Sequence, residues 1–101
     1  MIARMWHGRV PREDADAYEA FLAERAIPDY RSVTGNLGVR ILRRDADDAV
    51  HFVTLSFWES EDAIRAFAGE DLLKAKYYAE DADFLLEFEP QVMHYAVTAS
   101  G

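Results

Sequence analysis

Hydrophobic positions along this chain alternate between a period of two and a period of about three and a half. Residues 2–9 read as a first strand, with Met5 and Trp6 leading to Val10 and no breaker before Gly8. Pro11 ends it. From about Glu13 the period lengthens: Ala15, Tyr18, Phe21, Leu22 and Ala26 recur three and four residues apart, which predicts one apolar helical stripe. Glu13, Asp14 and Asp16 fall in its first turn, where negative charge suits the helix dipole. Pro28 is expected to kink or restart this helix, with a further turn over residues 29–33 that turns Tyr30 inward. Gly35-Asn36-Leu37-Gly38 supplies residues that tolerate a left-handed exit.

Residues 39–44 predict a second strand, Val39, Ile41 and Arg43 facing one way and Arg40, Leu42 and Arg44 the other. The run Asp45-Ala46-Asp47-Asp48 is a turn by composition, so a hairpin leads into a third strand at 50–58. That strand is apolar on both faces, with Val53, Leu55 and Phe57 on one and Phe52, Thr54, Ser56 and Trp58 on the other. Ser60 is a good helix cap, followed by Glu61 and Asp62 in the first turn and by the stripe Ala63, Ile64, Phe67, Ala68 up to Gly69. Asp71 is expected to cap a short helix over 72–78, and 79–90 to form an acidic surface loop pinned by Phe84, Leu85, Leu86 and Phe88. A last strand is expected at 91–97.

The order β-α-β-β-α-β is the split-βαβ, ferredoxin-like arrangement of an α+β domain spanning residues 1–101. Four antiparallel strands form one sheet in the spatial order 4-1-3-2, and right-handed crossovers place both helices on one face. The other face would then lie bare, although the third strand is apolar on both faces and the last offers Val92, Met93, Tyr95 and Val97 to both sides. A second sheet from another copy is the expected cover, which makes the chain a two-fold homodimer.

Composition narrows the function. A net charge of −8 repels phosphate backbones, so nucleic-acid binding is not expected. No cysteine is present, which removes thiolate chemistry and Cys-based zinc sites. Nothing approaches the roughly 18 apolar residues of a membrane span, and the N-terminus lacks the apolar run of a secretory signal, so a cytoplasmic protein without membrane contact is expected. The acids are spread over helices and turns and read as a solvated surface.

Four features resemble the antibiotic-biosynthesis-monooxygenase superfamily of dimeric α+β barrels. They are the short first strand with Trp6-His7, the Gly35-Asn36-Leu37-Gly38 exit, the strand-to-helix block from Ser56 through Trp58 to Phe67, and a strand after Pro90. The resemblance implies a pocket between sheet and helices; many family members have no known activity, and two chemistries are known among the others. One is cofactor-independent oxygenation of phenolic molecules to quinones; the other is haem degradation. The haem-degrading members use an Asn on the first strand, a Trp at the end of the third and a His on a short helix. Of these the chain keeps the Trp, as Trp58; Trp6 or His7 stands in place of the Asn, and Tyr77 near the His.

On this reading Trp58 shapes the pocket as a flat wall for an aromatic ligand. His7 or His94, on neighbouring strands, takes a phenolic proton, because imidazole titrates near neutrality; single-residue register decides whether the two share a face. His51 is expected to be exposed beside the acidic turn. Tyr77 and Tyr78 point apart, one packing and the other facing the pocket or solvent. Trp6, Tyr95 and Arg40 complete the substrate-binding set, and Arg4, Arg40 and Arg43 are candidates for an anionic ligand or an inter-subunit ion pair. No metal is expected, since no H-x-H or H-E-x-x-H spacing occurs. The expected function is a cofactor-independent monooxygenase on an aromatic or phenolic small molecule. The alternatives are a non-catalytic ligand-binding or structural dimer and a haem-binding protein.

Overall fold

A computed structural model describes residues 1–101. Its sheet has the order β2-β3-β1-β4, all antiparallel, with β1 at Ile2–Val10, β2 at Asn36–Asp45, β3 at Val50–Trp58 and β4 at Met93–Ala96. This is the expected ferredoxin-like arrangement. The pairing of Trp6 with Thr54, and of Arg4 with both Ser56 and His94, sets the faces. Val50, Phe52, Thr54, Ser56 and Trp58 are buried on the helix side, whereas His51, Val53, Leu55 and Phe57 are half-buried on the other.

The first helical arm runs α1 (Ala15–Phe21), a π-helical turn (Leu22–Ala26) and α2 (Ile27–Arg31). Pro28 explains the middle piece. It has no N–H to donate, and its ring would press on the carbonyl four residues back. The backbone widens ahead of it, so that the Ile27 N–H donates to Leu22 O, five residues back. The stripe Ala15, Tyr18, Leu22, Ala26 and Tyr30 stays buried through the irregularity. α3 (Glu61–Ala68) begins where Ser60 Oγ accepts from the Ala63 N–H at 3.2 Å. It closes tightly on the start of β2: a Cβ on Gly35, whose φ is +94°, would lie 2.6 Å from that of Ala63.

The short helix expected over 72–78 does not form. The Ala75 N–H donates to Pro90 O (2.9 Å), the Val92 N–H donates to Leu73 O (2.8 Å), and Lys74 bridges to Gln91. These cross-chain bonds use backbone groups that a two-turn helix would have left half unsatisfied. Asp71 caps only a turn, its carboxylate accepting from the Leu73 N–H at 3.1 Å. Because Gln91 and Val92 pair with this segment, β4 is shorter than expected. The nearest helical turn lies further on, at Ala79–Asp83. Phe84 and Leu85 pin the following segment to the core, but Leu86 and Phe88 are exposed. No helix is long and apolar enough to cross a membrane.

Candidate functional site

Between the helix side of the sheet and the first helical arm lies a cavity holding about 370 Å³ of empty space, mouth included. β1 contributes Arg4 and Trp6, β3 contributes Thr54, and the arm contributes Tyr18, Leu22, Ala26 and Tyr30. The segment after α3 closes it with Lys76, Tyr78 and Asp81. Aromatic walls with a few polar groups are the usual make-up of a small-molecule site; the enclosed part of this one is small, about 20 Å³, and most of the space lies in its mouth.

The polar groups fall into three sets. Asp81 is a carboxylate with only 3 % of its surface exposed. Its Oδ1 accepts from the Tyr18 hydroxyl at 2.9 Å and its Oδ2 from the Tyr78 N–H at 2.7 Å. Burial raises its pKa above the ordinary carboxylate value, against the opposing pull of those two donors. Burial likewise pushes the Tyr18 phenol up, helped by the negative charge of Asp81. The second set is on the rim, where the Tyr78 hydroxyl and the Lys76 ammonium both donate to Asp29 Oδ2.

Arg4 is the third. Its guanidinium donates to Leu72 O (2.8 Å), Lys74 O (2.9 Å) and His94 Nε2 (3.1 Å). The Tyr30 phenol beside it is pushed up to about 12 by burial, against the pull of the Arg4 charge. His94 is held below the ordinary imidazole value, first by burial and then by Arg4. The folded chain therefore resists protonating His94, whereas the unfolded chain takes up that proton near pH 6.5. Its contribution to stability is complete above that value and declines below it. Thermal melts from about pH 7.5 down to about 5.5 are expected to show falling stability, with a shallower fall in His94→Gln. Equal slopes in the two proteins would contradict this.

The expected site residues separate. Trp6 and Tyr78 line the cavity. Tyr77 does not; its hydroxyl donates to Glu89 O and its ring packs between Trp6 and Phe88. Trp58 is fully buried but is not a wall of the cavity: its N–H donates to Ser56 Oγ at 2.9 Å, and Tyr30 and Phe67 pack on its ring. His7 and His94 lie on opposite faces, and neither reaches the cavity. His94 is spent on Arg4. His7 stands on the bare face between Glu89 and His51, with His7 Nε2 and His51 Nδ1 2.9 Å apart. His51 is thus half-buried and partnered, where exposure was expected. Arg40 and Tyr95 are exposed on that same bare face. The general-base role expected of a histidine therefore has no histidine to fill it inside the cavity, because β-strand register turns His7 away and Arg4 holds His94.

The group found instead, Asp81, sits in the acidic run Glu80–Asp83 that reads as solvated surface. Its one trace in sequence is the aromatic bracket of Tyr77-Tyr78 and Phe84 around that run. A haem does not fit these residues. No imidazole lines the cavity, and the Tyr18 and Tyr78 hydroxyls are committed to carboxylates.

Residues 1–76 match the family model for antibiotic biosynthesis monooxygenase. Among solved structures, a Nitrosomonas europaea protein assigned to the antibiotic biosynthesis monooxygenases superposes with a TM-score of 0.69 at 18% identity, over 98% of this chain and 100% of that one. A MhuD variant with two manganese protoporphyrin IX molecules per active site superposes with a TM-score of 0.66 at 19% identity, over 100% of this chain and 98% of that one. No curated protein sequence matches.

Proposed function

Since the chain belongs to the antibiotic biosynthesis monooxygenase family, we propose that it is a cofactor-independent monooxygenase acting on a phenolic small molecule in the cavity between sheet and helical arm. The observation that carries this reading is a buried carboxylate, Asp81, among aromatic walls in a cavity with an open mouth. A phenol resting against Trp6 and Tyr30 presents its hydroxyl to Asp81, which takes the proton. The phenolate gives one electron to dioxygen, and the two radicals join at a ring carbon. Loss of water from the hydroperoxide then gives a quinone, so one phenol and one O₂ yield one quinone and one water. Trp58 supports the site from behind, by fixing Tyr30. The test is oxygen uptake with a panel of hydroxylated aromatics in the presence of a chelator. Uptake matched by quinone absorbance supports the reading, and none across the panel contradicts it. The haem alternative predicts a Soret band on titration with haemin, and has less support because no imidazole lines the cavity.

The working unit is a homodimer on this reading. Met5, Val53, Leu55 and Phe57 are half-buried on the bare face, and Leu42, Met93 and Tyr95 are exposed around them. A second copy of the same face covers this patch. Leu55→Lys places a charge near its centre and is expected to turn a sedimenting dimer into a monomer at micromolar concentration. A monomeric wild type would refute the assembly.

A further inference from the structure

We propose that the ligand of the cavity is a hydroxylated aromatic acid, its anionic group held by Arg4 and its hydroxyl facing Asp81; this rests on the cavity being the substrate site.

Arg4 is only 2 % exposed, and no carboxylate pairs with it. Arg9, Arg25, Arg43 and Arg65 each have an acidic partner. The three acceptors around Arg4 are two backbone carbonyls and an imidazole nitrogen, which orient the guanidinium without neutralising it. Guanidinium does not give up its proton in a protein, so the charge persists. Buried charges are ordinarily paired, and an unpaired one beside a cavity calls for an anion in that cavity.

Trp6 stands beside Arg4 in the lining. It follows Arg4 by two residues, so both side chains stand on one face of β1. Its buried indole N–H is turned toward the Tyr77 hydroxyl without a well-formed hydrogen bond, so Trp6 gives the cavity ring surface and no donor. The other cation of the lining, Lys76, is already neutralised by Asp29 at 2.9 Å. The remaining charge is Asp81, which does not pair with Arg4 and is tied to Tyr18 near the start of the helical arm. Arg4 instead pulls on Tyr30, near the end of that arm. A ligand that balances this lining carries a negative group for Arg4 and a hydrogen-bond donor for Asp81. The enclosed space is only about 20 Å³, so a ligand that reaches Arg4 is small and sits largely in the mouth.

Calorimetric titration of the intact protein without oxygen tests this, using 4-hydroxybenzoate and its methyl ester as probes. The wild type is expected to bind the acid at least about tenfold more tightly than the ester, a charge-assisted preference. Arg4→Gln is expected to abolish that preference, while Arg4→Lys keeps part of it. Equal affinities in the wild type, or no binding of either probe at millimolar concentration, would overturn the proposal even where Arg4→Gln fails to fold. Acid preference without oxygen uptake would sink the oxygenase reading and leave this one standing. Uptake with neutral phenols and no acid preference would do the reverse.

Discussion

Trp58→Ala is expected to destabilise the fold by about 3–5 kcal/mol, the range for deleting a buried aromatic side chain. Trp58 has no exposed surface and ends β3 under both helical layers, with Tyr30 from the first arm and Phe67 from α3 packed on its ring. Truncation opens a void that these rings cannot fill, and it takes the indole N–H from Ser56 Oγ, which keeps only its bond to Arg4 O. Against a typical domain stability of about 5–15 kcal/mol, the loss is a large fraction of the total. Denaturant unfolding measures it. Trp58→Phe keeps most of the volume and is expected to retain ligand affinity, since Trp58 does not line the cavity. A loss below about 1 kcal/mol for the alanine variant would show that the site relaxes in a way the packing does not suggest.

The second large effect is on chemistry. Asp81→Asn is expected to lower oxygen uptake by about 10²-fold or more, the typical contribution of a positioned base. The substitution suits the site sterically. The amide oxygen takes the Tyr78 N–H, while the amide nitrogen donates to the Tyr18 oxygen, which replaces the two existing bonds with reversed roles at one of them. A fold that melts near the wild-type temperature with its activity gone would separate the two functions of the residue. Burial raises the folded pKa of Asp81, so the wild-type rate should fall with acid at a pH above the ordinary value of 3.8, and the variant should lack that limb. An unchanged rate and pH profile would remove Asp81 from the reaction.

Much of the architecture was legible in the residues. The change of hydrophobic period at Glu13, the cap at Ser60, the break at Gly69 and the two-faced apolar β3 yielded element order and sheet topology, because each is a local signal. Pro28 announced a disturbance, though not that a π-helical turn would absorb it. The segment 72–78 has the composition of a short helix but pairs with residues 90–92 further along, and a bridge to a distant segment leaves no periodicity. The site was less legible for a related reason. His7 and His94 were candidates by chemical type, and strand register then placed one on the bare face and the other against Arg4. Asp81 looked like its solvated neighbours Glu80 and Asp83 until the turn at Ala79–Asp83 directed it inward to Tyr18. Trp58 was a sound marker of a packed corner, whereas the tryptophan that lines the cavity is Trp6.

The chain has two tryptophans, and only Trp6 borders the cavity, so fluorescence tests most directly whether this is the ligand site. In Trp58→Phe the emission comes from Trp6 alone, and in Trp6→Phe from Trp58 alone. Titration with 4-hydroxybenzoate, excited at 295 nm (roughly the edge at which tryptophan still absorbs and tyrosine does not), is expected to quench the first variant saturably and leave the second nearly unchanged. Quenching confined to Trp58, or saturable in neither, would contradict the placement of the ligand between β1 and the helical arm.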